Sequence, residues 1–63
     1  MSPIFKELDI VVSTVKIRKV PIGTGGTIVF DYGNNDTYEV EFFKDHKTIS
    51  IETVSKNQIA KRI

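Results

Sequence analysis

The chain has no cysteine and no tryptophan, and its 63 residues include only one histidine, His46. Without thiols, neither disulfide bonds nor thiolate metal sites can stabilise it. A single histidine also excludes a metal site that needs two. The absence of cysteine suits the reducing cytoplasm, where we expect this protein to be located.

An excess of one charge is missing as well. Nine basic and eight acidic residues leave a formal net charge of +1, whereas nucleic-acid-binding domains usually carry a clear basic excess. Long apolar runs are also missing: the run Ile10-Val11-Val12 is far too short to span a bilayer. Lys6, Glu7 and Asp9 interrupt the region where a secretory signal would be apolar. We therefore expect no membrane segment.

The length predicts one domain, residues 1–63, near the lower limit for a self-supporting core. Leu8–Val15 is rich in β-branched residues and predicts a first strand, but its apolar positions do not alternate and leave the buried face open. Lys16–Gly25 then forms a long arm. Because Pro21 has no N–H to donate, this arm is an edge or a loop and not a central strand.

Two alternating segments, Ile28–Tyr32 and Tyr38–Phe42, predict the central hairpin. The turn formers between them favour a loop at residues 34–36. In that register the opposed pairs are Tyr32 with Tyr38, Phe30 with Val40, and Ile28 with Phe42. All large apolar side chains then share one face, whereas a slip of one residue would place Phe30 opposite Glu39 and is disfavoured.

The C-terminal third predicts a polar turn at Lys44–Lys47, a strand at Thr48–Val54 and a capping box from Ser55 to Gln58. A single helical or 3-10 turn would follow, and then a last strand at Ile59–Ile63. A longer C-terminal helix is the alternative, since alanine, lysine and arginine favour helix there.

Five short strands, a long arm, tight turns and one short helical turn predict an all-β, five-stranded SH3-like barrel. Closure would remove the exposed strand edges of an open sheet. A five-stranded oligonucleotide/oligosaccharide-binding barrel is the alternative, although that fold usually needs more residues. The predicted core consists of Ile28, Phe30, Val40, Phe42, Ile49 and Ile51, with Leu8 and part of Val11-Val12.

Several motifs also carry a resemblance. Phe5, Leu8-Asp9, Gly26-Thr27-Ile28-Val29, Tyr38–Phe42 and Lys47-Thr48 follow one another as in a family of small proteins known as domain of unknown function 4926, which the chain resembles over nearly its whole length. The family commonly carries Asp-Gly in its second turn, where this chain has Asp45-His46. The resemblance supports the fold and implies no established activity or catalytic residues.

Candidate catalytic groups are few. His46 is expected to be a solvated turn residue, and Glu39 and Glu41 are expected to face solvent on one side of a strand. Gly23–Gly26 lacks the lysine and the helix of a phosphate-binding loop, so we interpret it as a structural turn. Asp9 is expected to cap a neighbouring loop. We therefore predict no enzyme, no cofactor and no metal site.

The remaining hypothesis is a non-catalytic module that binds another protein, such as a neighbouring gene product that it neutralises in the manner of an immunity protein or antitoxin. Phe43, expected to point outward, is the main candidate anchor, with Tyr32 and Arg18 as lesser ones. The alternative for Phe43 is that it covers one mouth of the barrel. The alternative is nucleic-acid binding through the basic arm that holds Lys16, Arg18 and Lys19, which the near-neutral charge disfavours. The sequence leaves the oligomeric state open.

Overall fold

A computed structural model describes residues 5–62, and its strands form one antiparallel sheet. The elements are β1 (Ile10–Ser13), β2 (Gly25–Asp31), β3 (Thr37–Lys44), β4 (Lys47–Ser55), a 3-10 turn (Lys56–Gln58) and β5 (Ile59–Lys61). The prediction of an all-β, five-stranded fold with a short 3-10 turn near the C-terminus is confirmed. Over the described residues, no helix has the length and apolar character needed to cross a membrane.

The strand order across the sheet is β4-β3-β2-β1-β5. The first four strands follow one another as antiparallel neighbours, and the 3-10 turn carries the chain back so that β5 pairs with β1. β4 and β5 therefore form the two edges. Among the described strands they do not pair with each other, so the predicted closure of the barrel is wrong and the sheet stays open.

One face of the sheet is buried under the N-terminal segment and the arm. The buried apolar residues are Phe5, Val11, Ile17, Val20, Ile28, Tyr38, Val40, Phe42, Val54 and Ile59, with Ile49 partly buried against them. Val11 and Ser13 give β1 its inward face, which the sequence left open. Phe5 packs edge-on against Tyr38, with the ring centroids 5.6 Å apart.

Three predicted core residues are exposed: Leu8 by 78%, Ile51 by 59% and Phe30 by 49%. Leu8 has a φ of 73°, and its N–H donates to the Ile28 carbonyl at 2.8 Å, so its backbone is held while its side chain stays in solvent. Ile51 and Phe30 lie beyond irregularities in their strands. In both cases an extra residue reverses the face on which the next side chains lie.

The predicted register of the central hairpin is wrong. Gly26 lies opposite Phe42 and Ile28 opposite Val40, and an extra residue, Val29, then shifts the pairing. Phe30 therefore lies opposite Glu39, the arrangement that the hydrophobic pattern disfavours.

Two local features favour the observed register. A Cβ atom on Gly26 would lie only 2.7 Å from Val40 Cγ1 and 2.9 Å from Phe42 Cδ1, so both side chains pack against a position that only glycine leaves open. At the other end of the hairpin, the Asn34 side chain accepts hydrogen bonds from the N–H groups of Asp36 and Thr37, which closes the turn. The backbone N–H of Tyr32 then donates to Thr37 O at 3.2 Å, and Asp31, not Tyr32, lies opposite Tyr38.

The arm folds back over the core as a loop. Ile17 and Val20 exchange two backbone hydrogen bonds, of 2.9 and 2.7 Å, around a tight turn at Arg18-Lys19, and both apolar side chains are buried. Ser13 holds the far end of the arm, because its buried hydroxyl donates to Pro21 O at 2.8 Å and accepts from Thr24 N at 3.0 Å. The arm is therefore attached to β1 and the core rather than hanging free.

The C-terminal elements agree with the sequence-based interpretation. Gln58 Oε1 accepts the Ser55 N–H at 2.8 Å, which is the returning half of the predicted capping box. A strand, β5, follows the 3-10 turn instead of the alternative helix. The predicted last residue of that strand, Ile63, lies outside the described residues.

Candidate functional site

Phe43, the main candidate anchor, is half-buried rather than fully exposed. The pairing of β3 with β4 shifts between Phe42 and Phe43, with Ile49 as the extra residue, so simple alternation does not hold at this end of the hairpin. Phe43 instead lines a cleft of about 330 Å³ together with Ile49, Ile22 and Pro21. This apolar cleft lies between the arm and the β3–β4 turn.

Tyr32 lies on the outer face of the sheet, at the far end of the central hairpin from Phe43. Its ring packs edge-on against Phe30, with the centroids 4.9 Å apart. Its hydroxyl donates to Glu39 Oε2, which also accepts from Thr53 Oγ1 at 2.6 Å. The hydrogen bond to Glu39 is the main reason why the pKa of Tyr32 is raised above 10.0, with lesser contributions from desolvation and from the Glu39 charge.

Arg18 lies at the tight turn of the arm, with a φ of 52°. Its side chain is 80% exposed, and its Nε lies 3.4 Å from Glu52 Oε1 on β4. Phe43, Tyr32 and Arg18 therefore have different partners: Phe43 lines the apolar cleft, Tyr32 contacts Phe30 and Glu39, and Arg18 contacts Glu52.

A groove of about 490 Å³ lies beside Arg18, between the arm turn and β4. Arg18 and Lys19 form one wall, and residues 50–53 of β4 form the other. We refer to it as the arm–β4 groove. One of its walls is thus the edge of the sheet.

Glu52 is the acidic residue of this groove, and its side chain is only 10% exposed. Its two carboxylate oxygens have different partners: Oε1 lies near Arg18 Nε, and Oε2 accepts a hydrogen bond from the Ser50 hydroxyl. A buried carboxylate is costly unless it is paired and hydrogen-bonded, and here it is both. Glu52 therefore attaches the tip of the arm to the sheet.

The edge of β4 offers backbone groups to the groove. Lys56 N–H donates to Asp36 O at 2.7 Å, and the register runs from there without a shift to the middle of β4. Hydrogen-bonded and non-hydrogen-bonded pairs alternate along an antiparallel ladder. Counting back from Lys56, Thr53 and Ile51 are the residues that do not bond to β3, so their N–H and C=O groups point away from the sheet. Among the described strands, β4 has no neighbour on that side.

Sequence reasoning identified Arg18 and Lys19 as part of a basic arm but missed Glu52 and the exposure of Ile51. It assigned the isoleucines of β4 to the core, although Glu52 and Val54 are the buried positions. The sequence signal for this arrangement is Val54, which lies two residues after Glu52 and therefore on the same face of β4. The extra residue, Ile49, conceals this signal, because Ile49 approaches the core while Ile51 lies outside it.

The other candidate groups lie in turns or on the outer face of the sheet. Asp9 caps the preceding turn as predicted, with its Oδ2 accepting the Lys6 N–H at 3.1 Å. His46 is an exposed turn residue, as predicted. Glu41, on the outer face, accepts from Thr48 Oγ1 at 2.5 Å. Within residues 5–62, no group of three histidine or acidic side chains is arranged to hold a metal ion.

Comparison with known families supports the resemblance found in the sequence. Residues 7–61 match the family described as domain of unknown function DUF4926, and the chain belongs to this family. No curated protein matches the chain, and no solved structure does.

Proposed function

We propose that this protein is a non-catalytic module that binds another protein by adding an extended segment of that partner to the open edge of β4. The observation that carries the proposal is the pair of outward-facing backbone positions, Ile51 and Thr53, inside the arm–β4 groove. Unpaired N–H and C=O groups at a sheet edge are a template for a further strand.

The length of β4 supports this mode of binding. β4 has nine residues, whereas β5, at the opposite edge, has three. Short edge strands with lysine resist pairing with other chains, and β5 ends at Lys61. β4 instead carries the exposed Ile51 at its centre, which offers apolar contact area to an incoming strand.

A second copy of the same chain fits this edge less well than a different protein does. If two β4 strands paired antiparallel about their centres, the arm turns of both copies would approach the same junction. Arg18 and Lys19 of each copy are exposed, so like charges would meet there without new acidic partners. We therefore assign the groove to a heterologous partner. The products of adjacent genes, which an immunity-like protein would neutralise, are the first candidates.

A strand-blocking variant tests the proposal. Thr53→Pro removes an N–H that points away from β3 and places a ring at the edge, while the ladder with β3 keeps its hydrogen bonds. Thr53→Val is the matched control, because it keeps the N–H and the β-branched shape. Peptides selected from a random displayed library on the wild-type protein should bind Thr53→Val normally and lose binding to Thr53→Pro. Amide exchange should show protection of Ile51 and Thr53 in the bound state.

Other outcomes overturn the proposal in distinguishable ways. Peptides that bind Thr53→Pro as well as wild type, but lose binding to Phe43→Ser, would move the site to the apolar cleft. Failure to select any peptide, together with salt-dependent binding of a mixed-sequence oligonucleotide, would favour the basic arm as a nucleic-acid surface. Failure of both assays would argue against a binding module of either kind.

A further inference from the structure

We infer that the segment bound in the arm–β4 groove is amphipathic, with acidic side chains facing Arg18 and Lys19 and apolar side chains beside Ile51. This inference rests on the proposed strand addition. It specifies the chemistry of the partner, which strand addition alone leaves undefined.

The pleat of the sheet separates the two sides of an added strand. Residues directly opposite one another on neighbouring strands have their side chains on the same face. Partner residues opposite Ile51 and Thr53 would therefore lie on the outer face of the sheet, where both of these side chains are exposed. The alternate partner residues would lie on the inner face, beside Glu52 and the arm that contacts it.

The charge of the groove selects acidic side chains for the inner face. Its cationic groups, Arg18 and Lys19, are exposed, whereas its carboxylate, Glu52, is mostly buried and already hydrogen-bonded by Ser50. The contact of Arg18 with Glu52 is made through Nε. A guanidinium has five N–H donors in a planar fork, so its two terminal nitrogens remain able to bind a carboxylate. A partner carboxylate can thus reach Arg18, whereas the burial of Glu52 keeps a partner lysine away from its carboxylate.

The outer side of the added strand calls for a different residue type. Ile51 is 59% exposed, and its cross-strand neighbour on β3 is Glu41, whose carboxylate is hydrogen-bonded by Thr48. A β-branched or aromatic side chain next to Ile51 would cover this apolar area and form a favourable cross-strand pair. The expected partner sequence therefore alternates apolar and acidic residues over about four to six positions, the usual length of a strand.

Three synthetic ten-residue peptides test this inference: alternating Val-Glu, alternating Val-Ser and alternating Val-Lys. Fluorescence anisotropy at low and physiological salt would give the Kd of each, and amide exchange would report protection at Ile51 and Thr53. We expect the Val-Glu peptide to bind at least about tenfold more tightly than the Val-Ser peptide, and the Val-Lys peptide to bind most weakly. The advantage of Val-Glu should shrink as salt rises.

Charge-removing variants locate the effect. Arg18→Gln with Lys19→Gln should bring the Val-Glu and Val-Ser peptides to within about twofold of each other. Lys6→Gln with Arg62→Gln removes the same charge at exposed positions away from β4 and should leave the preference unchanged. Because the loss of Arg18 leaves Glu52 without its cation, Lys19→Gln alone is the second variant, which keeps the Arg18–Glu52 pair and should reduce the preference partly.

The failure of this inference is separable from failure of the proposed function. Equal Kd values for the three peptides, with Ile51 and Thr53 protected, would retain strand addition and overturn the acidic specificity. Tightest binding of the Val-Lys peptide would show that Glu52 recognises the partner and would also overturn it. Absence of protection at β4 with every peptide would overturn both proposals.

Discussion

Phe42 and Phe30 belong to the same hairpin, yet Phe42 is completely buried and Phe30 is half exposed. Phe42 lies on the inner face of β3, opposite Gly26. Phe30 lies on the outer face of β2, opposite Glu39, where its ring contacts Tyr32. Side-chain hydrophobicity is the same at both positions, so position in the sheet and not residue type decides which ring enters the core.

The difference arises from the extra residue at Val29. Before it, β2 places Gly26 and Ile28 inward; after it, the next large side chain, Phe30, turns outward. The inner face is then completed by Tyr38, Phe5 and the arm residues Ile17 and Val20, which come from other parts of the chain. The outer face keeps aromatic and β-branched residues that the core does not use.

The largest expected effect breaks the inner face. Phe42→Ala should lower the free energy of unfolding by about 3–5 kcal/mol, because it removes a fully buried ring from a small core. Phe30→Ala should lower it by less than about 1 kcal/mol, since an exposed ring loses only its contact with Tyr32. Urea unfolding monitored by circular dichroism would measure both. Equal losses for the two variants would contradict the assignment of the two faces.

The two phenylalanines also show which features of the fold follow from the sequence and which do not. Strand number, the turns and the inward positions Ile28, Val40 and Phe42 follow from local composition and a period of two. The extra residues at Val29 and Ile49 could not be inferred, because each is stabilised by tertiary contacts: the packing of Phe42 on Gly26, and that of Ile49 against the core. A single inserted residue reverses the face of everything after it.

The candidate site was predictable to the same extent. Arg18 and Lys19 stand out in the sequence as basic residues of an arm. The groove requires Glu52 to be buried and β4 to be an edge, and neither follows from local pattern, because both depend on where the arm and β5 pack. The alternation of hydrophobic residues in β4 instead predicts that Ile51, and not Glu52, faces the core.

The next largest expected effect tests whether close packing at Gly26 fixes the register of β2 with β3. Gly26→Ala should destabilise the protein by about 1–3 kcal/mol, the usual cost of overpacking a core. The added Cβ would lie 3.0 Å from the Glu41 carbonyl oxygen, a backbone atom that cannot rotate away, as well as close to Val40 and Phe42. Gly25→Ala is the matched control, because its nearest obstacle is the flexible end of Arg62 at 3.2 Å. If Gly26→Ala were as stable as Gly25→Ala, close packing at Gly26 would not explain the register.

A smaller effect of opposite sign, a gain in stability, is expected at the β3–β4 turn, which belongs to neither face of the sheet. Asp45 and His46 both have positive φ, at 53° and 65°, as a two-residue turn of this kind requires. His46→Gly should raise the free energy of unfolding by about 0.5–1 kcal/mol, because relief of the left-handed strain exceeds the added flexibility of the unfolded chain. His46→Ala, which keeps the strain, should not stabilise. Differential scanning calorimetry of both variants would check this, and a gain with alanine equal to that with glycine would contradict the cause.

The subtlest expected difference between the two faces appears in the titration of their tyrosines. The pKa of Tyr38, on the inner face, is raised above 10.0 mainly by burial, whereas that of Tyr32, on the outer face, is raised mainly by its hydrogen bond to Glu39. Glu39→Gln should therefore lower the pKa of Tyr32 and leave that of Tyr38 unchanged, as ultraviolet titration of the Tyr32→Phe and Tyr38→Phe backgrounds would show. Because both pKa values are raised on folding, their contributions to stability are fully present below pH 10.0 and are lost as the pH rises through the folded values. Should Glu39→Gln shift the two tyrosines alike, the hydrogen bond would not distinguish the outer face from the inner one.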